Sequence, residues 1–406
     1  MNAIVQPSSG PAPAVARRIA DDRQALDVAR EYAARIAEGA AQRDRTRRLP
    51  YDELDAYSAT GLWGIAVPRE FGGAAVSATT LAEVTAIVSA ADPAIGQIPQ
   101  NHFYMLEVLR VNGTREQQRF YFERALAGER FGNALSERGT KTVRDYRTTI
   151  EPDGPGFRLN GQKFYSTGAL FAHWIPIVAK DRNGVLYVAF APASAPGLSV
   201  DDDWSGFGQR TTGSGSTRID NVYVDASAVV PYGAAFDKPT PVGPLGQLIH
   251  AAVDLGIARA AFADARRFVR ERARPWVDAH VERASDDPLT LEIFGKLAVE
   301  LDAAEALTER AGLRVDASID DPNERTVAAA SIAVAKARAA TTEIALAASS
   351  RLLELAGTSG VLAEHALDRH WRNARTHTLH DPVRWKYIAI ADYLVNDTLP
   401  PRHGAL

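Results

Sequence analysis

A chain of 406 residues, 46% apolar and 24% charged, is long enough for two or three domains around a large core, with the composition of an ordinary globular protein. Its net charge of -4, with Lys and Arg scattered along the chain, gives no basis for nucleic acid or an anionic membrane as a partner. Cysteine is absent, which excludes disulfides, Cys-ligated zinc, iron–sulfur clusters and a thiol nucleophile, and which fits the cytoplasm.

Residues 1–16 carry Pro, Ser and Gly without the continuous apolar core of a signal peptide, and read as a flexible tail. From 17 to 130 the pattern predicts helices, with Ala and Leu recurring at three- and four-residue intervals, as in 25–36 and 80–89. Pro50, Pro68, Pro93 and the Gly72-Gly73 pair punctuate it. From 131 to 232 the texture changes to strands at 148–150, 156–159, 185–190 and 216–224, a β-sandwich or barrel bounded by Asp153-Gly154-Pro155 and by Asn160-Gly161, a hairpin signal. From 233 to 406 the chain is helical again, with Ala-rich segments at 248–274, 289–314 and 326–355. Asp320-Asp321-Pro322 and 357–360 interrupt them, and no stretch reaches the apolar length of a membrane span. The order predicts an α+β fold, mainly α: an N-terminal α-domain, a middle β-domain and a C-terminal four-helix bundle, not a doubly wound sheet.

Familiar signatures are missing. No G-x-G-x-x-G follows a strand, no G-x-S-x-G elbow occurs, and His377 and His380 lack the spacing and Glu of H-E-x-x-H. No metal site is expected. The densest polar cluster spans 372–382 and holds Arg372, Arg375, His377, His380 and Asp381. On a helix, Thr376, His377 and His380 share a face, and Pro382 ends that helix by disfavouring helical geometry at Asp381. Such a cluster either points into a pocket or forms a solvated helix end. His102 is a ligand-facing imidazole or a hydrogen-bonded core residue. Ser166, after Phe164-Tyr165, either serves a planar ring or closes a strand. Arg270, Arg272 and Arg274, on one predicted helix before Pro275, are phosphate forks or a solvated face.

Read together, these segments resemble the acyl-CoA dehydrogenase superfamily along nearly the whole chain. The resemblance rests on Gly61-Leu62-Trp63-Gly64 through Phe71-Gly72-Gly73, on Asn133-Ala134-Leu135-Ser136-Glu137, and on Phe164-Tyr165-Ser166-Thr167. It continues in Gly208-Gln209-Arg210-Thr211-Thr212-Gly213 and in Leu355-Ala356-Gly357-Thr358-Ser359-Gly360. Dehydrogenases of the superfamily carry a Glu followed by Gly-Thr that removes the substrate's α-proton. Here Leu379-His380-Asp381-Pro382 stands instead. The stretch 373–383, with Arg274-Pro275-Trp276 and the ending 399–404, is similar to the flavin-dependent monooxygenase branch, the dibenzothiophene monooxygenase and sulfur-acquisition group.

That resemblance implies a two-component enzyme. Reduced FMN from a separate NAD(P)H:flavin reductase adds O₂ to give a C4a-hydroperoxyflavin, which oxygenates a small organosulfur or other heteroatom compound. It implies a cytoplasmic homotetramer. It implies Asn133 and Ser166 at the isoalloxazine, with Leu135, Ser136 and Tyr165 beside them and Trp204 as a wall. Arg274, Thr358 and Ser359 hold the phosphate across a subunit boundary. His380 handles the peroxide proton, His102 faces substrate and oxygen, and His377 supports the site. Residues 137–147 are a lid. Two other readings remain: an FAD-dependent acyl-CoA dehydrogenase with Asp381 as base, and a non-catalytic flavin-binding helical scaffold.

Overall fold

The computed structural model describes residues 16–406, so the tail expected over 1–16 lies, apart from Ala16, outside the described residues. Local sequence sets the helix starts. Asp21 caps α1 (Asp22–Thr46) by accepting the Gln24 N–H at 2.8 Å. Helix α2 (Tyr51–Thr60) ends on Gly61 in the left-handed region. Ser77 caps α3 (Ala78–Ala91), and Asp92 caps α4 (Pro93–Gln97), whose first residue is proline. After α5 (Gln100–Asn112), a Thr114–Gln117 capping box opens α6 (Arg115–Leu126).

The middle of the chain forms β1 (Thr149–Asp153), β2 (Gly156–Lys163), β3 (Trp174–Lys180), β4 (Leu186–Pro192), β5 (Leu198–Val200), β6 (Thr217–Asp225) and β7 (Val229–Pro231). They make one seven-stranded sheet in the order β5-β6-β2-β1-β3-β4-β7, where β1–β3 is the parallel pair. The sandwich or barrel of the sequence reading is thus a single hydrogen-bonded sheet, curled enough for β4 and β6 to approach each other. Asp153-Gly154-Pro155 is the β1–β2 turn, as its residue types require. Asn160-Gly161 is not a hairpin. It lies inside β2 at a bulge, where Gly161 has φ 156° and a Cβ would fall 2.4 Å from Thr148 Oγ1. Strand β3 escaped the sequence reading, since six of its seven residues are buried and it shows no apolar–polar alternation.

The remaining helices are α7 (Ala234–Asp237), α8 (Val242–Glu271), α9 (Pro288–Asp320), α10 (Glu324–Ala356), α11 (Asp368–His377) and α12 (Arg384–Asn396). Helix α10 begins on an Asn323–Thr326 capping box, right after the Asp-Asp-Pro interruption. Its alanines let α8, α9 and α10 pack closely, and α3 lies against α8, so the N-terminal helices and the bundle share one apolar core. A second cluster fills the sheet around Ile175, Ile177 and Val222. Each large side chain removed from water there contributes about 1.5–3 kcal/mol. Two helix expectations change. Arg274 is not helical, because α8 stops at Glu271 and leaves Arg272 to Trp276 in an exposed connection. Helix α11 stops at His377, four residues before Asp381, and turn bonds from Leu379 N to Thr376 O and from His380 N to His377 O carry the chain on to Pro382.

Candidate functional site

A seam runs between three loops of the β-domain and the carboxyl end of α11. The segment 131–134 lies along β3, bridging Phe131 to Trp174 and Ala134 to Ile177. Asn133 Oδ1 accepts the Leu135 N–H at 3.0 Å, and Ser136 O accepts the Phe164 N–H at 3.0 Å. These bonds align Asn133, Leu135 and Ser136 with Tyr165 and Ser166. Ser166 N–H binds Gly215 O at 3.1 Å, and Thr167 shares a hydroxyl bond of 2.7 Å with Ser214, which ties in the third loop. Trp204 stands half-buried at its edge, donating to Gln209 O at 2.9 Å, with the Tyr165 ring 6.3 Å away.

This loop packs on α11. Gln209 N–H donates to Asn373 Oδ1 at 2.6 Å, and a Cβ on Gly208 would lie 1.9 Å from Arg372 O, so only glycine permits the approach. Tyr165 and Gln209 hold φ of 58° and 50°, a left-handed conformation that costs energy for residues with a side chain. Ser166 Oγ, both amide atoms of Gln209, Thr376 Oγ1 and Arg375 Nε are buried and find no partner among the described residues. Buried polar atoms are nearly always paired, so this concentration along one seam marks a place built for a polar-edged ligand. Unpaired donors and acceptors of this kind, beside the Trp204 ring, are the groups that a planar ring with hydrogen-bonding edges, such as flavin, would need. Arg274, Thr358 and Ser359 are exposed, the last two in the turn after α10, where Ser359 Oγ donates to Ala356 O at 3.3 Å.

The turn after α11 swings His380 over His250, their ring centroids 3.9 Å apart, with the His380 side chain 43% exposed. Beneath it lies a buried network that sequence reading missed. His250 Nδ1 is 3.1 Å from His377 Nε2, and His377 Nδ1 is 2.6 Å from Asp254 Oδ1. Arg338 pairs with Asp254 and reaches Asp381 Oδ2 at 3.2 Å. Asp381 Oδ1 accepts from Gln247 at 3.0 Å and lies 3.6 Å from Lys386 Nζ. Burial alone would raise the Asp381 carboxyl, but His380, Arg338 and Lys386 hold it well below the usual carboxylate range. Burial lowers Lys386 to about 8, with Asp381 opposing. The sequence did carry a trace of this network: His250 and Asp254 are four apart in an otherwise apolar run, and Arg338 interrupts alanines.

His102 does not face the seam. It is fully buried, edge-on to Trp63 at 4.7 Å, with Nε2 donating to Trp63 O at 2.8 Å and Nδ1 accepting the Phe131 N–H at 3.2 Å. Burial pushes it down to about 3, and with both nitrogens committed to backbone it is a core residue that supports the segment bearing Asn133. Glu137 is an anchor and not part of a cover. It accepts from Lys163 Nζ and Thr148 Oγ1 at 2.8 Å, and from Arg147 N at 2.7 Å, leaving 138–147 as the loop beyond.

Comparison with known proteins covers all three parts of the chain. Residues 20–129, 133–222 and 248–385 match the N-terminal, middle and C-terminal domains of acyl-CoA dehydrogenase. The chain is 32% identical to dibenzothiophene monooxygenase of Rhodococcus erythropolis over 403 residues, which cover 94% of this chain and 96% of that one. It is 31% identical to the probable FMNH2-dependent monooxygenase SfnC of Pseudomonas putida, over 93% and 96% of the two chains. The crystal structure of FMN-bound TdsC from a Paenibacillus species superposes with a TM-score of 0.90 at 31% identity, covering 94% of this chain and all of that one.

Proposed function

Because the chain belongs to the acyl-CoA dehydrogenase superfamily, in its flavin-dependent monooxygenase branch, we propose that it uses reduced FMN and O₂ to oxygenate a small organosulfur compound. One observation carries the choice over dehydrogenation. The Asp381 carboxylate, which would have to serve as base, is closed off by Arg338, Gln247 and Lys386, while the His380 imidazole stands partly exposed beside it. A carboxylate so stabilised is a poor proton acceptor. An imidazole carries both a proton donor and a proton acceptor on one ring, which suits the handover of a single proton.

When bound, reduced FMN supplies the two electrons for oxygen activation. The chain supplies the rest. Asn133 and Ser166 present polar groups to the ring edge, Tyr165 and Trp204 wall it, and Leu135 and Ser136 fix the segment that carries Asn133. Arg274, Thr358 and Ser359 bind the phosphate. His380 holds and moves the proton at the reacting oxygen. His102 and His377 act behind these groups. The loop 138–147 excludes water by closing over the pocket.

FMN is preferred over FAD, the reductase is a separate NAD(P)H-dependent protein, and the enzyme works as a cytoplasmic homotetramer. Helix α12 supports the assembly: Lys386 is its buried residue, while Trp385, Ile388, Leu394 and Val395 are each at least 60% exposed. Apolar surface of that extent calls for a partner, and a second copy of the bundle supplies it. Sedimentation at micromolar concentration should give a tetramer, and a monomer alone would overturn the assembly.

The function is tested with a panel of organosulfur, amine and heteroaromatic compounds, given NADH, FMN and a generic flavin reductase, with products read by mass spectrometry. Oxygenated product that requires the reductase supports the proposal. Dehydrogenation of an acyl-CoA, or flavin binding without any product, would refute it.

A further inference from the structure

We infer that His250 is a positioning residue for His380: a neutral ring, locked as its Nδ1–H tautomer by His377 and Asp254, on which the His380 imidazole rests. This rests on the monooxygenase reading, which makes His380 the proton-handling group.

The direction of the hydrogen bonds follows from the last member. Asp254 is fully buried, and the Arg338 guanidinium, itself 1% exposed, pairs with it. Burial tends to raise the Asp254 carboxyl, but His377 and Arg338 bring it below its ordinary value, so it is ionised and can only accept. His377 Nδ1, 2.6 Å away, therefore carries a hydrogen. In a neutral His377 the other nitrogen, Nε2, is then a lone pair. His250 Nδ1, 3.1 Å from it, has to be the donor. With His377 neutral, one orientation satisfies every bond: its Nε2–H tautomer would set the Nδ1 lone pair against the Asp254 carboxylate, and a lone pair on His250 Nδ1 would face the one on His377 Nε2.

The groups around His250 keep it uncharged. His377, His380 and Asp381 face it from α11 and the turn that follows, Asp254 from its own helix, and Arg338 from α10. Burial lowers its basicity most, and His380, His377 and Arg338 add to that against the opposing Asp381. His377 is lowered as well, by burial first. A cationic His250 would place charge directly under the His380 ring, at a centroid distance of 3.9 Å, and oppose protonation there. With both buried rings locked neutral, neither opposes a proton on the His380 ring. Asp381 and the 3.9 Å approach of its Oδ1 to His380 Nδ1 are the fixed electrostatic partner.

Two measurements test this. The first needs no flavin. Histidine-selective ¹⁵N NMR of the purified protein, assigned by single substitutions, should show His250 and His377 as neutral Nδ1–H tautomers from about pH 6 to 8. A charged ring, or an Nε2–H tautomer at either position, would overturn the lock. The second separates ring from donor. His250→Phe keeps a ring under His380 and removes the donor to His377. His250→Asn keeps a donor near the Nδ1 position and removes the ring. Each should lower oxygenated product per reduced FMN consumed by roughly tenfold, with the balance appearing as hydrogen peroxide, and should displace the pH profile of that ratio. Both variants should retain the Nδ1–H tautomer at His377, because Asp254 fixes it. Folded variants with the wild-type ratio and pH profile would reduce His250 to a packing residue. If the variants do not fold, the wild-type tautomers still decide. If the wild type forms no product from any compound, the monooxygenase reading fails, while the NMR pattern judges the lock on its own.

Discussion

Lowering the pH from about 7.5 to 5.5 should destabilise the protein, and His102 lets the effect be worked through. An unfolded imidazole titrates near 6.5, whereas in the fold burial lowers His102 to about 3 and His173 to about 4. Below pH 6.5 the unfolded chain binds protons that the native protein refuses, so stability falls as the pH falls, until each native value is reached. At pH 5.5 each unfolded ring is about nine-tenths protonated and each native ring is still neutral, so each costs about 1.4 kcal/mol relative to pH 7.5. The two together cost about 2.8 kcal/mol, and the buried His250, His370 and His377 act in the same direction. Urea denaturation at fixed protein concentration, at both pH values, measures the loss. In His102→Gln, which cannot titrate, the loss should shrink by about 1.4 kcal/mol. An identical pH dependence in the wild type and this variant would show that His102 is not held neutral.

Three further outcomes are expected. His380→Ala should lower oxygenation by about 10²–10⁴-fold, with the fold intact and hydrogen peroxide replacing product, and full oxygenation by this variant would refute its role. Asp381→Asn leaves Arg338 and Lys386 undercompensated in a buried network, so it should cost about 3–5 kcal/mol in denaturation; a loss below about 1 kcal/mol would mean that the network is not coupled. Arg274→Ala should weaken FMN binding by about 1–3 kcal/mol and Arg274→Lys by less, read as dissociation constants, and no change would make Arg274 an ordinary surface residue.

Much of the architecture was legible because it is encoded locally. Capping residues such as Thr114 and Asn323, the alanine spacing of α10 and the Asp153-Gly154-Pro155 turn act on their own neighbours in the chain, so the sequence determines them directly. The alignment of Asn133, Ser136, Tyr165 and Ser166 was also accessible, through motifs whose order along the chain matches a known family. Other features depend on contacts between distant segments. The bulge at Gly161 follows from its closeness to Thr148, and the burial of β3 depends on the elements that cover it. His102 became a core residue because Trp63 and Phe131, 39 and 29 positions away, bind its two nitrogens. The turn that brings His380 against His250, and the Asp254–Arg338–Asp381 pairs beneath it, join α8, α10 and the chain after α11 across more than 40 positions of sequence at the least. Hydrogen bonds and ion pairs form at about 3 Å, and only tertiary packing brings such residues that close. The residue types at the site were therefore set by the sequence, and the burial, partners and exposure of each were decided by the fold.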